Sequence, residues 1–97
     1  MNRFSQNRHR RDANHYDIQE ALERCGCSVR DLSQIGGGTD LLVGCCGRDY
    51  QVEVKVHDGE LSDAQIKYAR DWKGQPPIVV RSILEAVQWA NEIRCAM

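Results

Sequence analysis

Residues 36–56 read GGGTDLLVGCCGRDYQVEVKV, and this stretch decides the fold. Two apolar runs flank the turn signal Gly-Arg-Asp, so residues 40–46 and 50–56 are predicted to pair as a β-hairpin. Alternation in the second run puts its three valines on one face of the strand and the polar residues, among them Glu53 and Lys55, on the other. The three glycines at the start of the stretch break regular structure, because they hold backbone conformations that other residues adopt only at a cost.

The rest of the chain is predicted to add three helices and two short strands to this hairpin. Each helix begins with a capping residue and continues with apolar residues at helical spacing. The caps are Asn14, Ser62 and Ser82, and the strands are predicted over residues 28–32 and 78–80. The third helix has a predicted apolar stripe of Ile83, Leu84, Val87 and Ala90. The resulting order, α-β-β-β-α-β-α, predicts a single α/β domain with a mixed central sheet flanked by helices.

The bulk composition excludes several classes of protein. A chain of 97 residues is long enough for one domain with a modest core. Its hydrophobic content of 41% and charged content of 28% are ordinary for a globular protein. No apolar run approaches the ~18 residues that a membrane span needs, and the first residues lack the apolar segment of a secretory signal. We therefore expect a cytoplasmic protein with no membrane partner.

Charge is distributed unevenly along the chain. Residues 1–16 hold four arginines and one aspartate, a net charge of +3, whereas the remainder carries −4. Residues 1–12 are predicted to be a basic flexible arm, followed by the folded domain at residues 13–97. A basic arm suits contact with nucleic-acid phosphates, because such contacts come from Lys and Arg. A tail that only aids solubility explains the same composition. If the arm does bind phosphate, the candidate contacts are Arg8, Arg10 and Arg11.

The cysteines are predicted to be packing thiols. There are five, so one must stay unpaired in any intramolecular disulfide scheme, and reduced thiols are expected without export. Cys45 and Cys46 are adjacent in a predicted strand, where neighbouring side chains point to opposite faces. Cys25 and Cys27 are closer together than the ligand pairs of structural zinc sites usually are. We therefore favour packing over a zinc site.

Three residues of the hairpin point to phosphate chemistry. Asp40 begins one strand, and Glu53 and Lys55 lie two apart on one face of the other. Two carboxylates that converge from adjacent strands offer Mg²⁺ the hard oxygen ligands it prefers. A lysine beside them can activate a water molecule and stabilise charge on a phosphate. Gly37 and Gly38 leave room for a nucleic-acid backbone to approach, so a metal-assisted site is favoured over a merely solvated strand face.

At these residues the chain resembles a known family. Asp40, twelve intervening residues and then Glu53-Val54-Lys55 resemble the signature of the PD-(D/E)XK nuclease superfamily. The order of elements and the glycine-rich turn are similar to the restriction-endonuclease-like α-β-β-β-α-β core of that superfamily. The chain looks most like the small stand-alone VRR-NUC branch, which is similar to archaeal-type Holliday junction resolvases. The resemblance covers residues 12–90.

The resemblance implies an enzyme, a metal-dependent endonuclease that hydrolyses DNA phosphodiester bonds and is selective for branched or flapped DNA. Asp40 and Glu53 would bind Mg²⁺ or Mn²⁺ with help from the Val54 carbonyl. Lys55 would serve the nucleophilic water.

Two helices would complete the implied catalytic set. Asp17 stands where the family usually has a helix-borne glutamate, and is one methylene shorter. Gln65 stands where the second helix often carries a glutamine. Thr39, before the first carboxylate, replaces the usual proline. From its place in the loop after the second hairpin strand, His57 is a further candidate for contact with a phosphate.

Two expectations concern partners. The domain is too small to surround a DNA duplex, so a homodimer is expected, with Trp72 or Trp89 near its interface. For both tryptophans, packing is favoured over stacking on bases. The rival hypothesis is a non-catalytic regulator that binds nucleic acid or protein and keeps the nuclease fold. The presence of all the residues named for the site argues against that rival.

Overall fold

A computed structural model describes residues 9–55 and 59–96, with side chains from residue 14 onward. The elements follow the order predicted from the sequence, α-β-β-β-α-β-α. No helix in this described part of the chain is long and apolar enough to cross a membrane. The bounds of the elements are α1 His9–Arg24, β1 Ser28–Asp31, β2 Leu41–Cys45, β3 Arg48–Val54, α2 Asp63–Asp71, β4 Ile78–Val80 and α3 Ile83–Cys95.

The four strands form one mixed sheet in the order β1-β2-β3-β4. β1 and β2 are antiparallel, as are β2 and β3, whereas β3 and β4 are parallel. A parallel pair needs a crossover connection, and the segment that contains α2 supplies it. The β2–β3 register sets Leu41 opposite Val52 and Val43 opposite Tyr50. These four side chains therefore share one face of the sheet.

Helices cover both faces of the sheet. On the apolar face, α1 and α3 pack against each other and against the strands. Ile18 and Leu22 of α1 are fully buried there, and the ring of Tyr50 meets Trp89 of α3 edge-on at 5.2 Å. On the polar face, α2 is held by hydrogen bonds from its side chains to residues of β3.

The hairpin turn is shorter than the sequence analysis predicts. It consists of Cys46 and Gly47, with φ angles of 57° and 81°, instead of residues 47–49. Two successive positive φ angles are typical of a type I′ turn, whose twist matches that of the paired strands. β3 therefore begins at Arg48, two residues earlier than predicted. Val56, predicted to end this strand, lies outside the described residues.

The first helix begins earlier than predicted. α1 includes His9, so the assignment of Asn14 as its N-cap is wrong. No glycine or proline occurs in residues 9–13, so no local signal delays the helix. Residues 9–12 of the predicted arm therefore belong to α1, and residues 1–8 lie outside the described residues.

The predicted apolar stripe of α3 is wrong in its first turn. Ile83 and Leu84 are 47% and 64% exposed, whereas Ala86 and Ala90 are fully buried. Apolar residues occur on two sides of this helix, so periodicity alone could not identify the buried side. The alanines, one turn apart, let α3 approach the sheet and α1 closely.

Leu22→Ala should lower the free energy of unfolding by about 2–5 kcal/mol, because it leaves a cavity among fully buried neighbours. Leu84→Ala is the matched control, and because Leu84 is exposed the expected change is within about 0.5 kcal/mol. Urea denaturation followed by circular dichroism measures both variants. Equal destabilisation by the two substitutions would contradict this packing of α1 and α3.

Candidate active site

The hairpin register brings Asp40 and Glu53 together. Leu41 pairs with Val52 in this register. Asp40 precedes Leu41 and Glu53 follows Val52, so these two residues face each other across the ladder. The backbone N–H of Val54 donates a hydrogen bond to Asp40 Oδ2 at 2.9 Å, which holds that carboxylate against β3. Asp40 lies close enough to Glu53 to raise the pKa of the Glu53 carboxyl group. The two carboxylates that the sequence singles out therefore converge.

Glu53 is buried in an unusual electrostatic environment. Its side chain lies on the polar face of the sheet, yet the residue is only 6% exposed. Burial raises the pKa of Glu53, and the charge of Asp40 and the hydrogen bond between the two side chains raise it further, to about 7. Lys55 Nζ lies 4.0 Å from Glu53 Oε2, and its positive charge lowers the pKa of Glu53. The Glu53 carboxyl group is therefore easier to protonate near neutral pH than an ordinary glutamate, as expected for a buried carboxyl group beside another carboxylate.

The N-terminus of α2 fixes a third partner of this cluster. Ser62 caps the helix, and its hydroxyl accepts a hydrogen bond from the backbone N–H of Gln65 at 3.1 Å. The Gln65 side chain completes the predicted capping box, because its Oε1 accepts from the Ser62 N–H at 2.8 Å. Its Nε2 donates to Glu53 Oε2 at 2.9 Å. The capping box therefore holds Gln65 in the orientation that contacts the acidic pair.

A second polar cluster lies beside the first. Gln51 Oε1 accepts hydrogen bonds from the Tyr68 hydroxyl and from Thr39 Oγ1, the latter at 3.2 Å. The glycine loop closes over it, since a Cβ on Gly38 would stand 3.4 Å from the Tyr68 hydroxyl. Gly37 has a φ of +76°, which favours glycine. The sequence analysis does not name Tyr68 as a site residue. The available signal was its partner Gln51, which shares a strand face with Glu53 and therefore lies near the same site.

The donor set of the acidic pair fits a hard divalent cation. Apart from their contact with each other, Asp40 Oδ1 and Glu53 Oε1 have no hydrogen-bond partner among the described residues. No group of three or more His, Cys, Asp or Glu side chains in residues 9–55 and 59–96 is arranged to hold a metal ion. An ion here would therefore take two carboxylates and complete its coordination with backbone oxygen, water or phosphate. That ligand set is usual for Mg²⁺.

The structure does not bring Asp17 into this cluster. Asp17 is exposed and lines a groove between α1 and α3 with Ile83 and Val87. It makes no hydrogen bond or ion pair within the described part of the chain. From the same helix, buried His15 instead places its Nε2 3.5 Å from Asp31 Oδ2 at the end of β1.

The predicted phosphate contacts fall largely on parts that the structure does not describe. Arg8 and His57 lie outside the described residues. Arg10 and Arg11 fall in the first turn of α1, with side chains outside the described part. These contacts therefore stay predictions.

The prediction that the cysteines are packing thiols is right for Cys27 and Cys45 and wrong for Cys46 and Cys95, which are exposed. Cys27 and Cys45 are buried, at 6% and 4% exposure, and both belong to the apolar core. Burial raises the pKa of Cys27 to about 12, and neighbouring Cys45 adds to this effect. A thiol with such a pKa is protonated and unreactive at neutral pH. We therefore assign these side chains a packing role.

Comparison with protein-family models, with curated proteins and with solved structures finds no match for this chain. Its function is therefore inferred from the geometry of the site and from the sequence signature alone.

The raised pKa of Glu53 predicts how stability depends on pH in metal-free protein. The folded value of about 7 lies above the ordinary value of 4.5, so the native state binds this proton more tightly than the unfolded state does. Stability should therefore fall as the pH rises from 4.5 to 7. The loss is about 3–4 kcal/mol at most, since each pKa unit corresponds to about 1.4 kcal/mol. Of the charged groups near Glu53, Asp40 raises its pKa and Lys55 lowers it.

Glu53→Gln should remove this pH dependence, because the amide keeps the shape of the side chain and does not titrate. Urea denaturation of both proteins at about pH 5 and about pH 8, with a chelator present, measures the difference. A parent-minus-variant difference in unfolding free energy that is the same at both pH values would show that the pKa of Glu53 is not raised in the folded protein.

Proposed function

We propose that this chain is a divalent-metal-dependent endonuclease that hydrolyses DNA phosphodiester bonds. The observation that carries the proposal is the convergence of Asp40 and Glu53 at the end of the hairpin, with Lys55 Nζ 4.0 Å from Glu53 Oε2. The order α-β-β-β-α-β and the position of this cluster on two paired strands agree with a restriction-endonuclease-like core of the PD-(D/E)XK class. Branched or flapped DNA is the proposed substrate.

Asp40 and Glu53 are the proposed ligands of Mg²⁺ or Mn²⁺, with the Val54 carbonyl as a third. When bound, the ion supplies a Lewis acid that polarises a phosphate oxygen and lowers the pKa of a coordinated water. The Val54 N–H orients Asp40 through the bond to Oδ2, and Gln65 Nε2 orients Glu53 through the bond to Oε2. Each carboxylate thus keeps its other oxygen for the ion.

Lys55 is the proposed group that acts on the phosphate and the attacking water. Its side chain is 22% exposed, so the ammonium is partly shielded from bulk solvent yet open to a ligand. In hydrolysis an oxygen of water forms a bond to phosphorus, and the bond from phosphorus to one sugar oxygen breaks. The water proton leaves, and negative charge grows on the non-bridging oxygens. A positive charge held in place stabilises that charge without reorganisation.

Cleavage assays on plasmid, single-stranded and junction DNA, with Mg²⁺ and with a chelator, test the proposal. Cuts that require the metal and produce 5′ or 3′ phosphates at internal positions support an endonuclease. Binding of DNA with no cuts under any metal would favour the non-catalytic regulator instead.

Asp40→Asn should abolish or strongly weaken the binding of Mg²⁺ or Mn²⁺, because one of two anionic ligands is removed. Calorimetric titration of parent and variant measures the effect. Asp17→Asn is the matched control, since Asp17 is exposed in a different groove. Undiminished binding in Asp40→Asn would place the ion elsewhere in the protein.

Lys55→Ala should reduce the cleavage rate on the order of a hundredfold or more, the effect of deleting one preorganised electrostatic group. Metal binding should persist, because both carboxylates remain. Lys55→Arg should rescue only in part, since a planar guanidinium replaces a compact charge. Arg24→Ala removes an exposed cation in the last turn of α1 and should leave the cleavage rate unchanged. Parental cleavage by Lys55→Ala would refute the mechanism even if the fold is right.

The homodimer and the cytoplasmic location stay predictions. Trp89 packs against Tyr50 and is only partly exposed, whereas Trp72 is 47% exposed. Light scattering at high protein concentration, with and without DNA, tests dimerisation.

A further inference from the structure

The two tryptophans have opposite environments. Trp89 packs edge-on against the core residue Tyr50. Trp72, the C-cap of α2, is 47% exposed and stacks on Tyr68, with ring centroids 5.5 Å apart and an interplanar angle of 18°. Tyr68 stacks in parallel on one face of the Trp72 indole. Much of the exposed area of Trp72 therefore belongs to the other parts of the indole ring. An exposed aromatic pair that lines a groove is a candidate surface for binding a ligand.

The stacked pair is held in place from several sides. The Tyr68 hydroxyl donates to Gln51 Oε1 on the sheet. The Trp72 backbone N–H donates to the Tyr68 carbonyl at 3.1 Å. Gly74 lets the chain pass the indole edge, since a Cβ there would stand 2.8 Å from Trp72 Nε1. The pair is therefore a preorganised surface whose orientation is fixed before any ligand arrives.

This surface is continuous with the candidate active site through Tyr68. On one side Tyr68 lines a cavity of about 110 Å³ together with Glu53 and Gln65. On the other side it lines an open groove of about 360 Å³ with Trp72 and Gly37. Tyr68 therefore lies between the groove and the cavity that Glu53 lines.

The charge around the aromatic pair suits a polyanion. Residues 67–73 carry Lys67, Arg70 and Lys73 against Asp71 alone. Asp71 pairs with both Lys67 and Arg70, at 2.7 and 3.2 Å. Lys73 has no hydrogen-bond or ion-pair partner within residues 9–55 and 59–96. Residues 67–73 are therefore net positive, although residues 17–97 as a whole are net negative.

We infer that the Tyr68–Trp72 stack, beside the Glu53 cavity, seats an unpaired nucleobase of single-stranded DNA. An aromatic face bordered by cations is the usual means of holding single strands, because every base has a π-face and every linkage a charge. In an intact duplex the bases are already stacked and do not reach such a seat. The inference rests on the proposed nuclease function and deepens it, since it makes the single-stranded part of a flap or branch the element that is recognised.

Binding is tested without cleavage, in metal-free buffer, with a labelled oligothymidylate of about twelve nucleotides and its duplex with oligoadenylate. Trp72→Ala should weaken binding of the single strand about tenfold or more, the usual effect of losing one base-stacking residue. Trp72→Phe should bind within a few-fold of the parent, because it keeps an aromatic face. Ile66→Ala is the matched control, since Ile66 is 48% exposed on α2 but lies two residues, or roughly 200°, around the helix from Tyr68. Duplex binding should be the same in all four proteins.

Intrinsic fluorescence gives a second readout that a merely structural role would not produce. The single strand should quench the parent, and the quench should vanish in Trp72→Phe, which retains Trp89. Parental affinity in Trp72→Ala, or a quench that survives in Trp72→Phe, would overturn the inference. So would a fluorescence shift at Trp72 that depends on protein concentration alone, because a second copy of the chain would then cover the seat. Metal-dependent cleavage that is indifferent to Trp72 would refute this seat and leave the nuclease proposal standing. No binding to any DNA would refute both.

Discussion

The hydrogen bond from the Val54 N–H to Asp40 Oδ2 is the constraint on which the site depends. It ties the residue just before β2 to the last residue of β3, and so fixes the Asp40 carboxylate at the end of the hairpin. The strand register then places Glu53 next to Asp40. Two carboxyl groups held together in a buried setting are unfavourable in isolation, and the raised pKa of Glu53 is the consequence. This pair is the basis for the proposed cation site.

Polar contacts around the acidic pair also attach α2 to the domain. α2 buries no residue completely, and its described bonds to the sheet run from Gln65 to Glu53 and from Tyr68 to Gln51. Elements with few buried apolar contacts open most easily. In the proposed nuclease, a metal ion or substrate at Glu53 would strengthen the attachment of α2, which carries the Tyr68–Trp72 stack. In the proposed nuclease, these two side-chain hydrogen bonds would link DNA recognition to the chemistry at the acidic pair.

Much of this fold could be predicted because local signals agreed with each other. The strand at residues 78–80 and the capping box of Ser62 and Gln65 were confirmed, since each has a short and specific signature. The acidic pair could be found because period-2 alternation and hairpin pairing together fix which side chains meet. Errors arose where one pattern admitted two outcomes. Asn14 can cap a helix or lie within one, and only tertiary packing decides.

Other features depend on contacts that a single sequence does not display. The exposure of Ile83 and Leu84 reflects which side of α3 faces the sheet, and both sides carry apolar residues. The Tyr68 bond to Gln51 joins residues of different elements. Trp72 and Trp89 occur in similar helical patterns of the sequence. Their environments differ because α2 and α3 dock at different places.

The central claim, that the Asp40–Glu53 pair is a divalent-cation site, is tested most directly by anomalous diffraction from a crystal grown with Mn²⁺. We expect one strong anomalous peak within about 2.0–2.3 Å of a carboxylate oxygen of each residue, a normal bond length for a small divalent ion. A manganese peak anywhere else, or density that shows the two carboxylates sharing only a proton at saturating Mn²⁺, would contradict it.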